Sequence, residues 1–263
     1  TLLKTLQFLE QAHHLIHAAG PHYHFDHSKI RELLYNNIPP ELRIEYHTMV
    51  GQYLSESFGE SEEHAGIIAH NLLSAGLKEE ALPFMLRAAA AAARLFAYAD
   101  GILFLGRAET VLHDLHPHDP PPERVRMLAQ VLQQRGDYEY AAGHYQPALA
   151  SYEKALDLAR ATGEPQREAD LLRAIGRTHY LLGRPVESQK NYDNAIANYS
   201  KLEAEARAGG DEAAVARASR ELGKLHFFKG DLDRSHAYVT EAVRIAAEIG
   251  DSRLQGAALN NLG

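Results

Sequence analysis

The sequence predicts an all-α protein built from repeated helical hairpins, and regularly spaced glycines are the main evidence. Pairs of glycines seven residues apart recur in the second half of the chain: Gly136 and Gly143, Gly176 and Gly183, and Gly223 and Gly230. The first members of these pairs are 40 and 47 residues apart. Between the pairs, as in residues 171–176, apolar and small residues recur every three or four positions, which is typical of helices. A constant inner spacing within a nearly constant period indicates a repeat array.

The two glycines of each pair have different predicted roles. The second one, such as Gly183, lies where a helix must stop, and glycine adopts the left-handed turn there without steric cost. The first one, such as Gly176, lies inside a helix, where it costs about 1 kcal/mol relative to alanine. We therefore expect the backbones of paired helices to approach closely at this glycine.

The second helix of each predicted hairpin carries small and aromatic residues at matching offsets from the first glycine. Small residues follow it at two fixed distances, namely Ala148, Ser188 and Ser235, and then Ala155, Ala195 and Ala242. Aromatic residues lie between them at Tyr152 and Tyr192, with Tyr238 one place earlier. This small, aromatic, small order allows one helix to nest against its neighbour.

These residues together resemble the tetratricopeptide repeat. The resemblance implies a right-handed superhelical solenoid of helical hairpins that binds other proteins. The usual repeat has about 34 residues, and we expect the additional ones near positions 198–210. Residues 258–263, which end at Gly263, resemble the first helix of one more, incomplete repeat.

The same template extends upstream in a more diverged form, through Ala69, Gly76, Ala81, Met85 and Ala88. The predicted organisation is therefore residues 64–115 as diverged first helices, 116–122 as a proline-rich linker, and 123–263 as the main array. Proline ends helices and stiffens linkers.

Residues 1–58 differ from the repeats. We predict a helix from Thr1 to Ala18, a short strand at 22–25, a helix from Ser28 to Tyr35 and another from Pro39 to Leu54. Helix, strand and then helices resemble the end of a winged-helix domain followed by a helical arm.

The sequence of this first part is similar to a stretch of STAND-class signalling ATPases, in which a winged helix precedes tetratricopeptide repeats. The similar segments are residues 23–27, 30–35 and 38–40, together with His47. The resemblance implies a regulatory segment of a larger protein whose ATPase, and perhaps a cyclase or kinase domain, lies outside this sequence. Both ends of the sequence look cut, which fits that expectation.

Composition restricts the function classes. The net charge of −8 disfavours nucleic-acid binding, which needs a basic surface, and residues 1–46 carry four basic against five acidic side chains. Without cysteine there is no thiolate metal site or cysteine nucleophile. No run of 18 apolar residues predicts a membrane span. We expect a cytoplasmic protein without a cofactor.

The sequence contains no recognisable catalytic motif. The segment nearest to a phosphate-binding loop, Gly223-Lys224-Leu225, lacks the leading glycine and the hydroxyl residue. No paired nucleophile and base is recognisable, so the segment is predicted not to be an enzyme. A histidine-rich metal site remains an alternative, since imidazole binds zinc well. Its candidates are His13, His14, His17, His22, His24 and His27, although a surface rich in histidine is the favoured interpretation.

The resemblance also predicts which side chains face a binding groove. In this family, residues three before and one after the first glycine line the inner surface, here Arg173, Arg177, Arg220 and Lys224, with Arg217 on the same face. Four residues after each glycine come the aromatic residues Tyr140, Tyr180 and Phe227. Such a groove could hold an acidic, extended protein or peptide partner through carboxylate contacts and apolar packing.

Two alternatives stay open at this point. The arginines could form a solvated face while the aromatic residues fill gaps between repeats, because the preceding repeat has Gln133 and Asp137 at the groove positions. The array could also be a purely structural scaffold for oligomer assembly.

Overall fold

The computed structural model describes residues 2–20, 22–115, 118 and 120–260. These residues contain thirteen helices and one two-stranded sheet, and the chain divides into two compact units, Thr1–Ala81 and Leu82–Gly263. The predicted all-α architecture is confirmed. The four-part organisation stays a prediction, and residues 116, 117 and 119 of its linker lie outside the described residues.

The first unit contains four helices and the sheet. Its elements are α1 (Leu2–Gln11), β1 (Ile16–Ala19), β2 (His22–Phe25), α2 (Ser28–Asn37), α3 (Pro40–Phe58) and α4 (Glu62–Ser74). Helix α3 packs against α4, where Gly51 lies so close to Leu72 that an added Cβ would come within 2.9 Å of the leucine side chain. Beside this contact, His47 Nδ1 lies 2.8 Å from Asn71 Oδ1.

The predicted helix from Thr1 to Ala18 is wrong in its second half. Helix α1 ends at Gln11, and residues 16–19 form a strand that pairs antiparallel with β2, with Ile16 opposite Phe25. The strand is stabilised by hydrogen bonds to residues beyond the turn at Gly20, whose φ is +62°. The spacing of apolar residues in a short segment does not reveal whether another strand will pair with it. The winged-helix interpretation of this unit stays a prediction.

The second unit is a series of helices in which each one from α6 to α13 packs on the next. Its elements are α5 (Lys78–Arg94, which begins before the boundary), α6 (Tyr98–Leu115), α7 (Pro122–Ala141), α8 (Tyr145–Ala161), α9 (Pro165–Leu181), α10 (Pro185–Gly209), α11 (Glu212–Phe228), α12 (Leu232–Glu248) and α13 (Ser252–Leu259). Gly263, the predicted start of a further glycine pair, lies outside the described residues.

Close approach between the helices of a hairpin is confirmed at the first glycine of each pair. A Cβ added to Gly176 would lie 2.6 Å from Tyr192 Cε1, and Gly136 meets Tyr152 at the same distance. The second glycine of each pair terminates its helix in the left-handed conformation, as Gly183 does with φ +70°. Gly143 and Gly230 have the same conformation. The roles predicted for the two glycines are therefore correct.

The third hairpin departs from the predicted pattern. The residue that packs on Gly223 is Val239, whose Cγ2 would lie 2.5 Å from an added Cβ. Val239 has the same offset from its glycine as Tyr152 and Tyr192, whereas Tyr238, one place earlier, stacks on His226 with ring centroids 5.5 Å apart. The small residues that flank this position are buried in all three hairpins: Ala148, Ser188, Ser235, Ala155, Ala195 and Ala242.

Helix α10 accounts for the longer period between the second and third repeats. It has 25 residues, compared with 17 in each of α8 and α12, and it ends at Gly209 in the predicted region. One continuous apolar core joins α7 through α11 and contains the tyrosines Tyr152, Tyr192 and Tyr199. Among the described helices, none has the length and hydropathy needed to cross a bilayer.

Two histidines are buried at equivalent positions, three residues after the first glycine. His179 is 8% exposed and His226 is 6% exposed. Burial lowers the pKa of His226 below its ordinary value of 6.5, and the carboxylate of Asp231 opposes this only in part. Burial likewise lowers the pKa of His179, with Arg184 adding to the effect. Both imidazoles are therefore neutral in the folded protein near neutral pH.

We predict that Gly176→Ala lowers the free energy of unfolding by about 1–3 kcal/mol, because the new methyl group would overlap the Tyr192 ring. The matched control is Gly106→Ala in α6, where an added Cβ meets no atom within 4 Å. There, better helix propensity should raise stability by up to about 1 kcal/mol. Urea denaturation of both variants measures the difference, and equal effects would contradict the close approach.

We also predict that stability falls as pH drops below 6.5. The unfolded chain then binds protons that His179 and His226 cannot bind in the folded state, so the free energy of unfolding rises with pH in this range. Relative to the unchanged protein, His226→Gln should flatten this dependence between about pH 5 and pH 7. Urea denaturation at a series of pH values measures both slopes, and an unaltered slope in His226→Gln would exclude this contribution.

Candidate functional site

A pocket of about 390 Å³ lies between α9 and α11. It is lined by Arg173, Arg177, Gly223, Lys224, Phe227, Phe228, Ser235 and Asn260. Four residues of the predicted groove therefore meet in one cavity, which combines basic and aromatic side chains. We refer to it as the α9–α11 pocket.

The other residues of the predicted groove lie outside this lining. Tyr140 supports Arg177 from α7, with the guanidinium carbon 4.0 Å from the ring centroid. Arg220 is partly buried beside Glu221. Tyr180 is 68% exposed and Arg217 is also exposed. Whether any of these residues binds a partner stays a prediction.

Asn260, Phe228 and Ser235 belong to the lining but were not predicted from the sequence. Asn260 could have been found, because it lies three residues before Gly263 and so has the same register as Arg173 and Arg220. Phe228 is placed by its stacking on Tyr192, with ring centroids 5.6 Å apart. The helix-to-helix packing that creates this contact is not visible in the local sequence.

A buried carboxylate, Glu221, lies among the basic residues and was also missed. Its Oε1 accepts hydrogen bonds from Arg220 Nη2 at 2.7 Å and from Lys224 Nζ at 2.9 Å. Its Oε2 lies 3.4 Å from Nε of Arg173, which reaches it from α9. Burial alone would raise the pKa of Glu221, but Arg173, Lys224 and Arg220 together bring it below its ordinary value. Glu221 is therefore ionised and compensates much of the surrounding positive charge.

Two further carboxylates, Asp170 on α9 and Asp137 on α7, are held by tyrosines. Tyr199 donates a hydrogen bond to Asp170 Oδ1 at 2.5 Å, and Tyr152 donates one to Asp137 Oδ1 at 2.7 Å. Burial and the neighbouring Asp170 raise the pKa of Tyr199, so its phenol keeps the proton that it donates. Asp170 also lies 3.7 Å from Arg173 Nη2. The surface is thus less basic than the arginine pattern suggested.

Arg177 differs from the other basic residues of the pocket. Its guanidinium stacks on the Tyr140 ring, yet among the described residues it makes no ion pair. Its Nε is buried and has no hydrogen-bond partner there. A guanidinium held flat by an aromatic ring is suited to bind a carboxylate through two parallel hydrogen bonds.

The histidines of the alternative metal site lie in the first unit. His17 lies in β1, opposite His24 in β2, and the two rings stack with centroids 5.8 Å apart. The helix predicted through Ala18 would have put His13 and His17 on one face, which is wrong because the chain turns before β1. His17 Nδ1 pairs with Asp26 at 2.7 Å. In the part of the chain that the structure describes, no group of three or more histidine and carboxylate side chains has metal-binding geometry.

Comparison with known proteins supports the repeat. Residues 126–201 match the family model described as tetratricopeptide repeat. A search of curated protein sequences found no match.

Solved structures show related folds at low sequence identity. A kinesin light chain from Podospora anserina with nearly identical TPR-like repeats has a TM-score of 0.50 at 12% identity, covering 82% of this chain and 100% of that chain. A Rap protein in complex with competence and sporulation factor has a TM-score of 0.53 at 17% identity, covering 86% of this chain and 60% of that chain. The tetratricopeptide sensor protein of the STAND class from Pyrococcus horikoshii has a TM-score of 0.48 at 19% identity, covering 88% of this chain and 37% of that chain.

These likenesses concern the fold only. The family match and the TPR-like kinesin light chain agree with the helical hairpins of the second unit, so its fold is of the tetratricopeptide type. The chain spans 60% of the length of the Rap protein.

We predict that Glu221→Gln lowers the free energy of unfolding by about 1–3 kcal/mol at pH 7, because it removes the charge that holds three cations together. The difference from the unchanged protein should shrink as pH falls below 4.5, because the unfolded chain then binds a proton at Glu221 before the folded protein does. Urea denaturation at several pH values measures this.

The matched control is Glu205→Gln on α10, which removes an exposed carboxylate 3.8 Å from Lys201. It should change stability by less than about 0.5 kcal/mol. Equal losses in both variants would show that Glu221 has no special role in the fold.

Proposed function

We propose that this chain is a non-catalytic interaction module whose second unit binds an acidic, extended segment of a protein partner in the α9–α11 pocket. The observation that carries the proposal is the convergence of Arg173, Arg177 and Lys224 with Phe227 and Phe228 on one cavity. Basic groups can pair with carboxylates while the phenyl rings cover apolar parts of the same segment. A tetratricopeptide-type fold supports this, since such repeats present extended binding surfaces.

The Rap likeness is compatible with the same proposal. That protein was solved in complex with competence and sporulation factor, so a related fold holds a partner. The choice of partner for this chain rests on its own pocket, because the identity between the two sequences is only 17%.

We further infer a setting in signal transduction. The resemblance of residues 23–47 to STAND-class proteins supports a role in which partner binding regulates attached domains, including an ATPase. Such regulation requires the partner to bind two conformational states with different affinity. In the whole protein, ATP hydrolysis should then change when the partner is added, and an unchanged rate would contradict the regulatory role.

The direct test uses an array of immobilised synthetic peptides with acidic, basic and uncharged sequences, probed with the whole chain. We predict that the acidic peptides containing an aromatic residue are retained. Charge reversal of the groove by Arg173→Glu with Arg220→Glu should weaken their binding at least tenfold, measured by fluorescence anisotropy with folding checked by circular dichroism.

The control for charge reversal is Lys201→Glu, which changes the same type of charge on α10 at a side chain that is 78% exposed. It should leave binding within about twofold of the unchanged protein. Retention of no acidic peptide, or equal loss in the control, would contradict the proposed function and favour a structural scaffold for oligomer assembly.

A further inference from the structure

The basic residues of the α9–α11 pocket are not equivalent, because most of their charge is already compensated. Glu221 is 6% exposed and receives contacts from Arg173, Arg220 and Lys224. Arg173 lies near a second carboxylate, Asp170. A ligand carboxylate that approached these cations would therefore also be repelled by the carboxylates of Glu221 and Asp170.

Arg177 is the exception. It lines the pocket and makes no ion pair among the described residues, and its Nε, like that of Arg173, is buried without a hydrogen-bond partner. Its Tyr140 support restricts the guanidinium to one plane, so little conformational entropy remains to be lost when a planar anion binds. Asp137 on α7 interacts electrostatically with Arg177 without forming an ion pair with it, and its carboxylate accepts a hydrogen bond from the Tyr152 hydroxyl.

We propose that the pocket recognises a single carboxylate, bound by Arg177, next to one bulky apolar side chain that packs on Phe227 and Phe228. This inference rests on the proposed function and sharpens it from an acidic segment to one anionic residue beside an apolar one. Additional acidic residues in the partner add little affinity, because the cations that they would contact are already neutralised by Glu221 and Asp170.

The apolar half of this preference follows from exposure. Phe227 is 59% exposed and Phe228 is 41% exposed, although both rings line the cavity. A bulky apolar side chain in the ligand would remove both rings from water, which is favourable. Arg177 lies on the same face as these exposed rings. The carboxylate and the bulky apolar side chain of the ligand must therefore be adjacent.

The experiment uses three acetylated and amidated synthetic peptides that share a central phenylalanine in a serine and glutamine background. They contain no glutamate, one glutamate beside the phenylalanine, or three glutamates. Affinities for the whole chain are measured by fluorescence anisotropy at one salt concentration. We expect the peptide with one glutamate to bind at least tenfold more tightly than the peptide with none, and the peptide with three to gain less than threefold more.

Variants of the protein test which basic residue binds the peptide carboxylate. Arg177→Gln should reduce the affinity for the peptide with one glutamate to that of the peptide with none, whereas Arg220→Gln should change it less than threefold. Glu221→Gln should selectively strengthen binding of the peptide with three glutamates, by about threefold or more. Circular dichroism and thermal unfolding confirm that each variant is folded.

The outcomes separate this inference from the proposed function. Tenfold tighter binding of the peptide with three glutamates than of the peptide with one, or an equal loss in Arg220→Gln and Arg177→Gln, would overturn the single-carboxylate assignment and leave the acidic-groove function standing. Failure of every peptide to bind the unchanged protein would overturn both.

Discussion

The contact of an aromatic or branched side chain with the backbone of a paired helix is the constraint on which the second unit depends. At Gly136 and Gly176 a tyrosine ring occupies the space that a Cβ would fill, and at Gly223 a valine does so. Because the same contact recurs, the first helices of successive hairpins stay in register. Residues three before and one after each glycine therefore come to one surface, where α9 and α11 enclose the pocket.

The electrostatics of that surface follow from burial as much as from composition. A buried carboxylate is stable only when cations and hydrogen bonds surround it. Glu221 satisfies this requirement through Arg173, Arg220 and Lys224, and in doing so it reduces the positive charge that those residues offer to a ligand. Arg177 lies over an aromatic ring and makes no ion pair among the described residues, so it keeps more of its charge available than they do, although Asp137 acts on it from α7. Residue type and register alone would have treated all four cations as equal.

Several features of the site were within reach of the sequence and others were not. Register placed Arg173, Arg177, Lys224 and Phe227 correctly on one side of the array, and the same register would have identified Asn260. Glu221 and Asp170 were missed because their roles depend on neighbours from other helices. In the first unit, the helix predicted through Ala18 failed for a related reason, since β1 owes its structure to β2 beyond a turn.

The sequence by itself determined the repeat architecture of this protein, its helix-ending glycines and the lengthened α10. Those features arise from local periodicity and backbone preference, which depend on residues close together in the chain. Only the tertiary structure decided that residues 16–19 form a strand, and that Glu221 compensates its neighbours while Arg177 makes no ion pair among the described residues. These outcomes depend on distances between side chains far apart in sequence, and packing sets those distances.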